Sequence, residues 1–142
     1  MTSAVSLAST LVQALAAMRG QAPVMYASVS ARLRDAPTRM SVDDEIIPLT
    51  SNGAVVALHD HLETFSVHVD TDRRTLLDLA TGRAELVASI LGDRVFVAGN
   101  IASLVAVDGA LALFLSWAIR SAAAQTLFQQ YRDEGRRGDH AC

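Results

Sequence analysis

The stretch VHVDTDRRTLLDLATGRAELVASILGDRVFVAGN, residues 67–100, carries the pattern that decides the fold. Phe65 just before it and the two valines at its start alternate with polar residues, which is typical of a strand with one buried face. Apolar positions then recur at helical spacing in two short segments, which end near Gly82 and Gly92. The stretch closes on an apolar strand. It therefore predicts a strand, two helices and a strand, in a fold that mixes both element types.

Upstream of this stretch, short β-rich runs are separated by turn residues, which predicts a meander of strands from about residue 36. Asn52-Gly53 is the strongest turn signal in the chain. A type I′ turn needs positive φ at both central positions, and Asn-Gly tolerates this best. We therefore expect a hairpin that joins residues 45–50 to residues 54–60.

Helical periodicity flanks the predicted sheet on both sides. Apolar spacing predicts an amphipathic helix over residues 1–20 and favours a second helix over residues 23–34. After the last strand the chain should be helical over residues 101–132, with Asp108 capping a second segment or marking a bend. Residues 111–119 are apolar almost all round, so they must lie in the core, under a partner or beside an apolar cavity.

Composition excludes several classes of function. The chain has 142 residues, which predicts one domain over residues 1–135 and a flexible, charged tail over residues 136–142. All twelve cationic residues are Arg, so Schiff-base chemistry on a lysine is excluded. The net charge of −3 is spread along the chain, so nucleic acid is not an expected partner. The only cysteine is Cys142, which fits a reducing compartment, and we expect a cytoplasmic protein.

Two apolar segments have some features of membrane signals. The first, residues 1–20, lacks a basic start and is interrupted by polar residues. The second, residues 101–119, has Asp108 and Gly109 near its middle, where a charge would be costly in lipid. Both segments are therefore predicted to be ordinary helices, and stable membrane insertion is not expected.

The order of elements in residues 67–100 resembles the sterol-transfer domain of the sterol carrier protein 2 superfamily. That family shows a strand, a helix with paired leucines ending in Gly, a second helix ending in Gly, a strand, and Gly-Asp before an apolar helix. The matching residues here are Leu76-Leu77, Gly82, Gly92 and Gly99-Asn100, with Asn in place of Asp. The lysines and the proline common in this segment of the family are missing. The first thirty-odd residues match nothing in the family.

This resemblance implies an α+β fold, with a roughly five-stranded, mainly antiparallel sheet, helices packed on one face and an enclosed apolar tunnel. The apolar helix after Ile101 would form a wall of the tunnel. The implied ligand is a hydrophobic small molecule such as a lipid, a sterol or a polyketide-like compound, with no cofactor. The residues expected to contact it are apolar apart from one carboxylate: Leu77, Leu86, Ile90, Val97, Leu104, Asp108, Leu111, Phe114 and Trp117.

Three of the four histidines fall within ten residues and raise a separate hypothesis. His59 and His61 would leave the same face of a strand, and His68 could join them if a hairpin brought it opposite His59. No metal is predicted, because the simplest interpretation is a polar sheet face in solvent. The remaining alternative is proton transfer by a His beside a carboxylate such as Asp60, at the mouth of the cavity.

Three functions are open at this point. The first is a carrier that binds a hydrophobic molecule in the tunnel. The second is a cofactor-independent cyclase, isomerase or lyase, acting on a hydrophobic intermediate of bacterial secondary metabolism, with His59, Asp60, His61 and His68 as candidate catalytic residues. The third is an interaction module, in which the apolar C-terminal helix forms a homodimer with a second copy.

Overall fold

The computed structural model describes residues 6–140, and it describes side chains for residues 6–134. Within this range the chain forms six helices and five strands. In chain order they are α1 (Leu7–Gln21), α2 (Pro23–Leu33), β1 (Thr38–Val42), β2 (Glu45–Ser51), β3 (Val56–Leu58), β4 (Val67–Thr71), α3 (Arg73–Ala80), α4 (Leu86–Leu91), β5 (Phe96–Gly99), α5 (Ile101–Arg120) and α6 (Ala122–His140). The predicted order of elements is confirmed. The start of the predicted first helix and the side chains of the predicted tail lie outside the described residues.

The five strands form one mixed sheet in the order β3-β2-β1-β4-β5. β1, β2 and β3 make an antiparallel meander, and β4 pairs antiparallel with β5. At the centre β1 and β4 are parallel, with Thr38 opposite Val67. The prediction that a hairpin brings His68 opposite His59 is wrong, because β2 and β1 lie between β3 and β4.

One face of the sheet packs against α1, α2 and α5. Thr38, Met40 and Val42 are buried on this side of β1, while Arg39 and Ser41 alternate with them and point the other way. α6 packs mainly on α1, outside this layer. Among residues 6–140 no helix covers the opposite face of the sheet, and we call it the open face. Its outward-pointing residues are Arg39, Ser41, Ile46, Pro48, Thr50, Ala57, His68, Asp70, Phe96 and Ala98.

Side-chain caps define where three helices begin. Ser6 caps α1 and Asp72 caps α3, each accepting a hydrogen bond from an amide three residues later, at 3.0 and 2.7 Å. Asn100 Oδ1 accepts from the amide of Ser103 at 2.8 Å and so opens α5. The preceding Gly99 lies so close to β4 that a Cβ there would collide with the carbonyl oxygen of Ser66. The Gly-Asn pair therefore has the structural role expected of it.

The predicted hairpin between β2 and β3 is present, but its turn is not type I′. Residues 52–55 form a four-residue loop, in which the amide of Asn52 donates to the carbonyl of Val55 at 3.3 Å. Only Gly53 has positive φ, at 94°. Asn52 Oδ1 instead accepts from the amides of Ala54 and Val55, at 2.9 and 2.8 Å. The side chain of Asn52, and not a left-handed backbone, holds this turn.

Asp108 neither caps nor bends a helix, which corrects the sequence-based expectation. α5 is continuous from Ile101 to Arg120, and Asp108 is exposed on its outer side. The break falls at Ser121, whose extended backbone separates α5 from α6. Ser121 Oγ accepts from the amide of Ala124 at 3.2 Å and donates to Gln21 at 2.9 Å. The break therefore also ties α1 to the start of α6.

Two smaller expectations are corrected in the same way. Phe65 was expected to face the core with Val67, but β4 begins at Val67 and Phe65 is 41% exposed. The amide of Ser66 donates to the carbonyl of Pro37 at 2.8 Å, which fixes the chain before the strand alternation starts. After α3 the left-handed position is Gly82, as predicted, with φ of 80°, whereas after α4 it is Asp93 and not Gly92.

By length and composition alone, α5 could cross a membrane. In the folded chain α5 buries six residues: Ser103, Val107, Ala110, Phe114, Trp117 and Ala118. It packs on α2, α6, α3 and the sheet. Only 33% of its apolar window is buried, and Ile101, Val105 and Ile119 are exposed, so α5 contacts the core along one face and is exposed along the other.

Candidate ligand-binding cavity

An apolar cavity of about 60 Å³ lies between the sheet and helices α1, α2 and α5. Thirteen residues line it: Leu11, Leu15, Val29, Leu33, Thr38, Met40, Leu49, Val56, Val69, Val107, Ala110, Leu111 and Phe114. Thr38 is the only polar one, and its hydroxyl donates to the carbonyl of Ala36 at 2.8 Å. The lining side chains therefore offer a molecule in this cavity no free hydrogen-bond donor.

Local sequence spacing explains which side chains reach the cavity. Leu11 and Leu15 are four residues apart on α1, as are Val29 and Leu33 on α2, so each pair lies on one helix face. On α5 the lining residues lie at positions 107, 110, 111 and 114, which is one stripe. The strands contribute alternate residues from their helix-covered face. Seven elements thus converge on one space.

The cavity is small for its expected ligands. Pockets that enclose drug-sized molecules measure about 300–1,000 Å³. Among the lining residues only Leu15 and Leu111 are partly exposed, and the others are buried. The cavity thus comes nearest to solvent between α1 and α5. The predicted tunnel stays a prediction.

Of the nine residues expected to contact a ligand, Leu111 and Phe114 line the cavity. Trp117 is buried beside Phe114, with 5.8 Å between ring centroids. Asp108 is exposed on the outer side of α5. The remaining five are half-buried residues that pack around the core: Leu77, Leu86, Ile90, Val97 and Leu104. The structure therefore places the cavity nearer to α1 and α2 than expected. The helical stripes in those two helices were the signal for it.

The candidate catalytic residues do not gather at the cavity. His59 Nε2 shares a 2.6 Å hydrogen bond with the hydroxyl of Thr50, and His68 Nε2 shares one of 3.3 Å with Ser41. Both contacts lie on the opposite side of the sheet from the cavity. Asp60 and His61 are exposed in the connection between β3 and β4. Within the described residues, no three His, Cys, Asp or Glu side chains are placed to hold a metal ion.

Polar contacts attach the start of α1 to β2 and attach α6 to α3. Glu45 on β2 accepts from the amides of Leu7 and Ala8 at 2.8 and 2.9 Å. Arg73 on α3 stacks on the buried ring of Tyr131, 4.2 Å from its centroid, and donates to its carbonyl oxygen at 3.2 Å. Burial raises the pKa of Tyr131, while the charge of Arg73 opposes that change. These contacts fix the helix that supplies Leu11 and Leu15.

Comparison with solved structures gives the fold a known counterpart. The match to a structure described as the UbiJ-SCP2 ubiquinone synthesis protein covers 79% of this chain and 94% of the chain in that structure. Its TM-score is 0.57 and its sequence identity is 18%. The match to the sterol carrier protein domain 2 of Helicoverpa armigera covers 79% of this chain and 86% of that domain's chain. Its TM-score is 0.52 and its sequence identity is 11%. The chain has the sterol carrier protein 2 fold.

A third similar structure extends the match. It is a conserved hypothetical protein of Thermus thermophilus, described as a possible sterol carrier protein, and it covers 89% of this chain and 92% of its own. Its TM-score is 0.55 and its identity 16%. The sequence itself matches no protein-family model and no curated protein. The resemblance in residues 67–100 is thus confirmed at the level of the sterol carrier protein 2 fold.

Proposed function

We propose that this protein binds a hydrophobic small molecule, of the lipid, sterol or polyketide-like class, between its sheet and helices α1, α2 and α5. The observation that carries the proposal is the apolar cavity, whose lining side chains offer no free hydrogen-bond donor. A molecule there gains by leaving water and makes no directed contact. The similarity to sterol carrier protein domains supports the same class of ligand.

The small volume defines how a ligand would enter. An acyl chain or a ring system needs more than about 60 Å³, so the helices must separate before it fits. We expect the opening to lie between α1 and α5, because Leu15 on α1 and Leu111 on α5 are the partly exposed lining residues. The apolar end of the ligand would enter between them, while any polar group stays at the surface.

Binding is favoured over catalysis as the function of this cavity. None of its thirteen lining side chains is titratable, so they cannot transfer a proton to or from a bound molecule. His59 and His68 face the other side of the sheet. A catalytic role for His59, Asp60, His61 or His68 would therefore need a second binding place on that side.

A cavity-filling variant tests the proposal. Ala110→Leu places extra methyl groups in the cavity, and Ala112→Leu makes the same change two residues away on the exposed side of α5. Binding of a fluorescent fatty-acid analogue should weaken by about tenfold or more in Ala110→Leu and stay unchanged in Ala112→Leu. Circular dichroism and thermal unfolding confirm that both variants are folded. Equal affinity in a folded Ala110→Leu protein would contradict the proposal.

A further inference from the structure

The open face of the sheet has the composition of an interface. Its outward residues form two rows across four strands: Ile46, Ser41, Asp70 and Phe96 in one row, and Pro48, Arg39, His68 and Ala98 in the other. Outward positions of a solvated sheet are normally polar. Ile46 and Phe96, at the two ends of the first row, are apolar and exposed, whereas in the second row Pro48 is buried and Ala98 is half-buried. Ile46 is 50% exposed and Phe96 is 58% exposed.

The side chains of Phe65, His68 and Phe96 pack together on the open face, and we call them the aromatic ridge. The ring of His68 meets Phe65 and Phe96 edge-on, with centroids 6.2 and 6.4 Å apart. The guanidinium of Arg39 lies 5.7 Å from the centroid of Phe65. Exposed aromatic and Arg side chains packed in this way are the residues that contribute most to protein interfaces. The ridge therefore marks this face as a surface for a protein partner.

The charges of the open face indicate which kind of partner it binds. Arg39 and Asp70 have opposite charges, and neither has an ion-pair partner among the side chains of residues 6–134. They lie on neighbouring strands and are two residues out of register, which separates them by about 8 Å. An acidic partner would meet Asp70, and a basic partner would meet Arg39. A surface that carries both signs complements a second copy of itself.

One two-fold axis satisfies both charges. The axis lies between two facing sheets and runs diagonally across β1 and β4, so that Arg39 of each copy faces Asp70 of the other. With strands about 4.8 Å apart and about 6.7 Å per two residues, the same axis brings Phe96 near Phe65 of the second copy. It also brings the two Ile46 side chains together. We infer that the open face is a homodimer interface, in which two sheets cross with Arg39 paired to Asp70.

The area of the open face determines the expected affinity of the homodimer. Five strands of about 18 Å give about 450 Å² of face per copy, or roughly 1,000 Å² in total with surface relief. Interfaces of this size are weak and transient, so we expect a dissociation constant of about 10–100 μM. The helices α5 and α6 pack within the chain, but Ile101, Val105 and Ile119 of α5 are exposed, so a dimer through α5 is the alternative that the two charge reversals on the open face test. The cavity lies on the other side of the sheet, so this inference does not depend on the proposed function.

Sedimentation velocity from about 1 to about 500 μM tests the inference. The sedimentation coefficient should rise from that of a monomer towards that of a dimer. Arg39→Glu and Asp70→Arg should each weaken association by about tenfold or more, and the double variant should restore it to within about threefold. Val24→Ser, which changes an exposed apolar residue on α2, is the control. If the protein stayed monomeric at all concentrations, the inference would be overturned, and the open face would have to bind a partner other than a second copy.

Cross-linking tests the position of the axis. In a Cys142→Ser background, Ile46→Cys should give a covalent dimer with a short bismaleimide, because the two residues at position 46 meet at the axis. Val24 is more exposed than Ile46, so Val24→Cys is the control. The Val24→Cys protein should stay monomeric at the same concentration. Equal cross-linking at both positions, or association that ignores both charge reversals, would also overturn the inference.

Discussion

Glu45 on β2 accepts a hydrogen bond from the backbone amide of Leu7 at the start of α1, at 2.8 Å, and the same carboxylate accepts from Ala8. Two unsatisfied amides of a helix N-terminus thus bind one carboxylate, which also complements the helix dipole. Glu45→Gln keeps the size but removes the charge. We expect it to cost about 1 kcal/mol in urea unfolding and to speed amide hydrogen exchange in α1.

Asp44→Asn is the matched control, because Asp44 is the exposed neighbour of Glu45. It removes the same charge from nearly the same place, and its effect should stay within about 0.5 kcal/mol. Equal losses in the two variants would mean that the net charge of this turn, and not the contact with α1, sets the stability.

The buried Tyr131 predicts a loss of stability in alkali. An unfolded tyrosine loses its proton near its ordinary pKa of 10.0, and burial raises the pKa of Tyr131 in the folded chain. Above pH 10 the unfolded state therefore binds fewer protons than the folded state, so stability falls as pH rises through that range. Tyr131→Phe keeps the ring under Arg73 and removes this titration.

The urea midpoint should fall further between about pH 9 and about pH 11 for the wild type than for Tyr131→Phe. Measurement at pH 7 gives the part of the difference that does not depend on pH. The absence of lysine simplifies the experiment, since few other side chains titrate in this range. If both proteins lost the same stability, another group would have to be responsible.

Phe114 and Phe96 provide a comparison of a buried with an exposed aromatic residue. Phe114 is 9% exposed, lines the cavity and contacts Trp117 and Phe128. Phe114→Ala should cost about 3–5 kcal/mol, because it enlarges an existing cavity. Phe96→Ala, measured at low protein concentration, should cost about 1 kcal/mol or less. Similar costs would contradict the assignment of Phe114 to the core.

His68 tests whether the two faces of the sheet act separately. It bonds Ser41 on the open face, and Val69 next to it lines the cavity on the other. His68→Ala should leave the affinity for a fatty-acid analogue within about twofold of the wild type. Val69→Ala should change that affinity, because it alters the cavity wall. A large loss in His68→Ala alone would revive a role for the histidines in ligand handling.

The features that could be predicted from sequence depend on neighbours along the chain. Asn100 caps a helix through the amide three residues later, and Gly82 ends one through its own backbone. The stripes that include Leu11 and Val29 follow from helical spacing alone. Each of these signals lies within a few residues, so the sequence shows it directly.

The errors arose where distant segments meet. The parallel pairing of β1 with β4 joins residues about thirty positions apart, and no local pattern distinguishes it from a hairpin between β3 and β4. That pairing places the histidines away from the cavity. Phe65 was misassigned because the amide of Ser66 bonds the carbonyl of Pro37, and the strand begins at Val67, two residues later than its alternation indicates. The cavity is lined by seven elements, so no single segment could show its full set of residues.

Asp108 and Asn100 give the last comparison, since Asp108 was the expected cap and Asn100 is the residue that precedes α5. Asn100 makes the capping bond, whereas Asp108 is exposed in the middle of α5. Asn100→Ala should therefore cost about 1 kcal/mol in urea unfolding, and Asp108→Ala should change stability by less than about 0.5 kcal/mol. Asn100→Asp should retain the stability of the wild type, because Asp accepts the same bond and its charge favours a helix N-terminus. A loss in Asn100→Asp as large as that in Asn100→Ala would contradict the capping role.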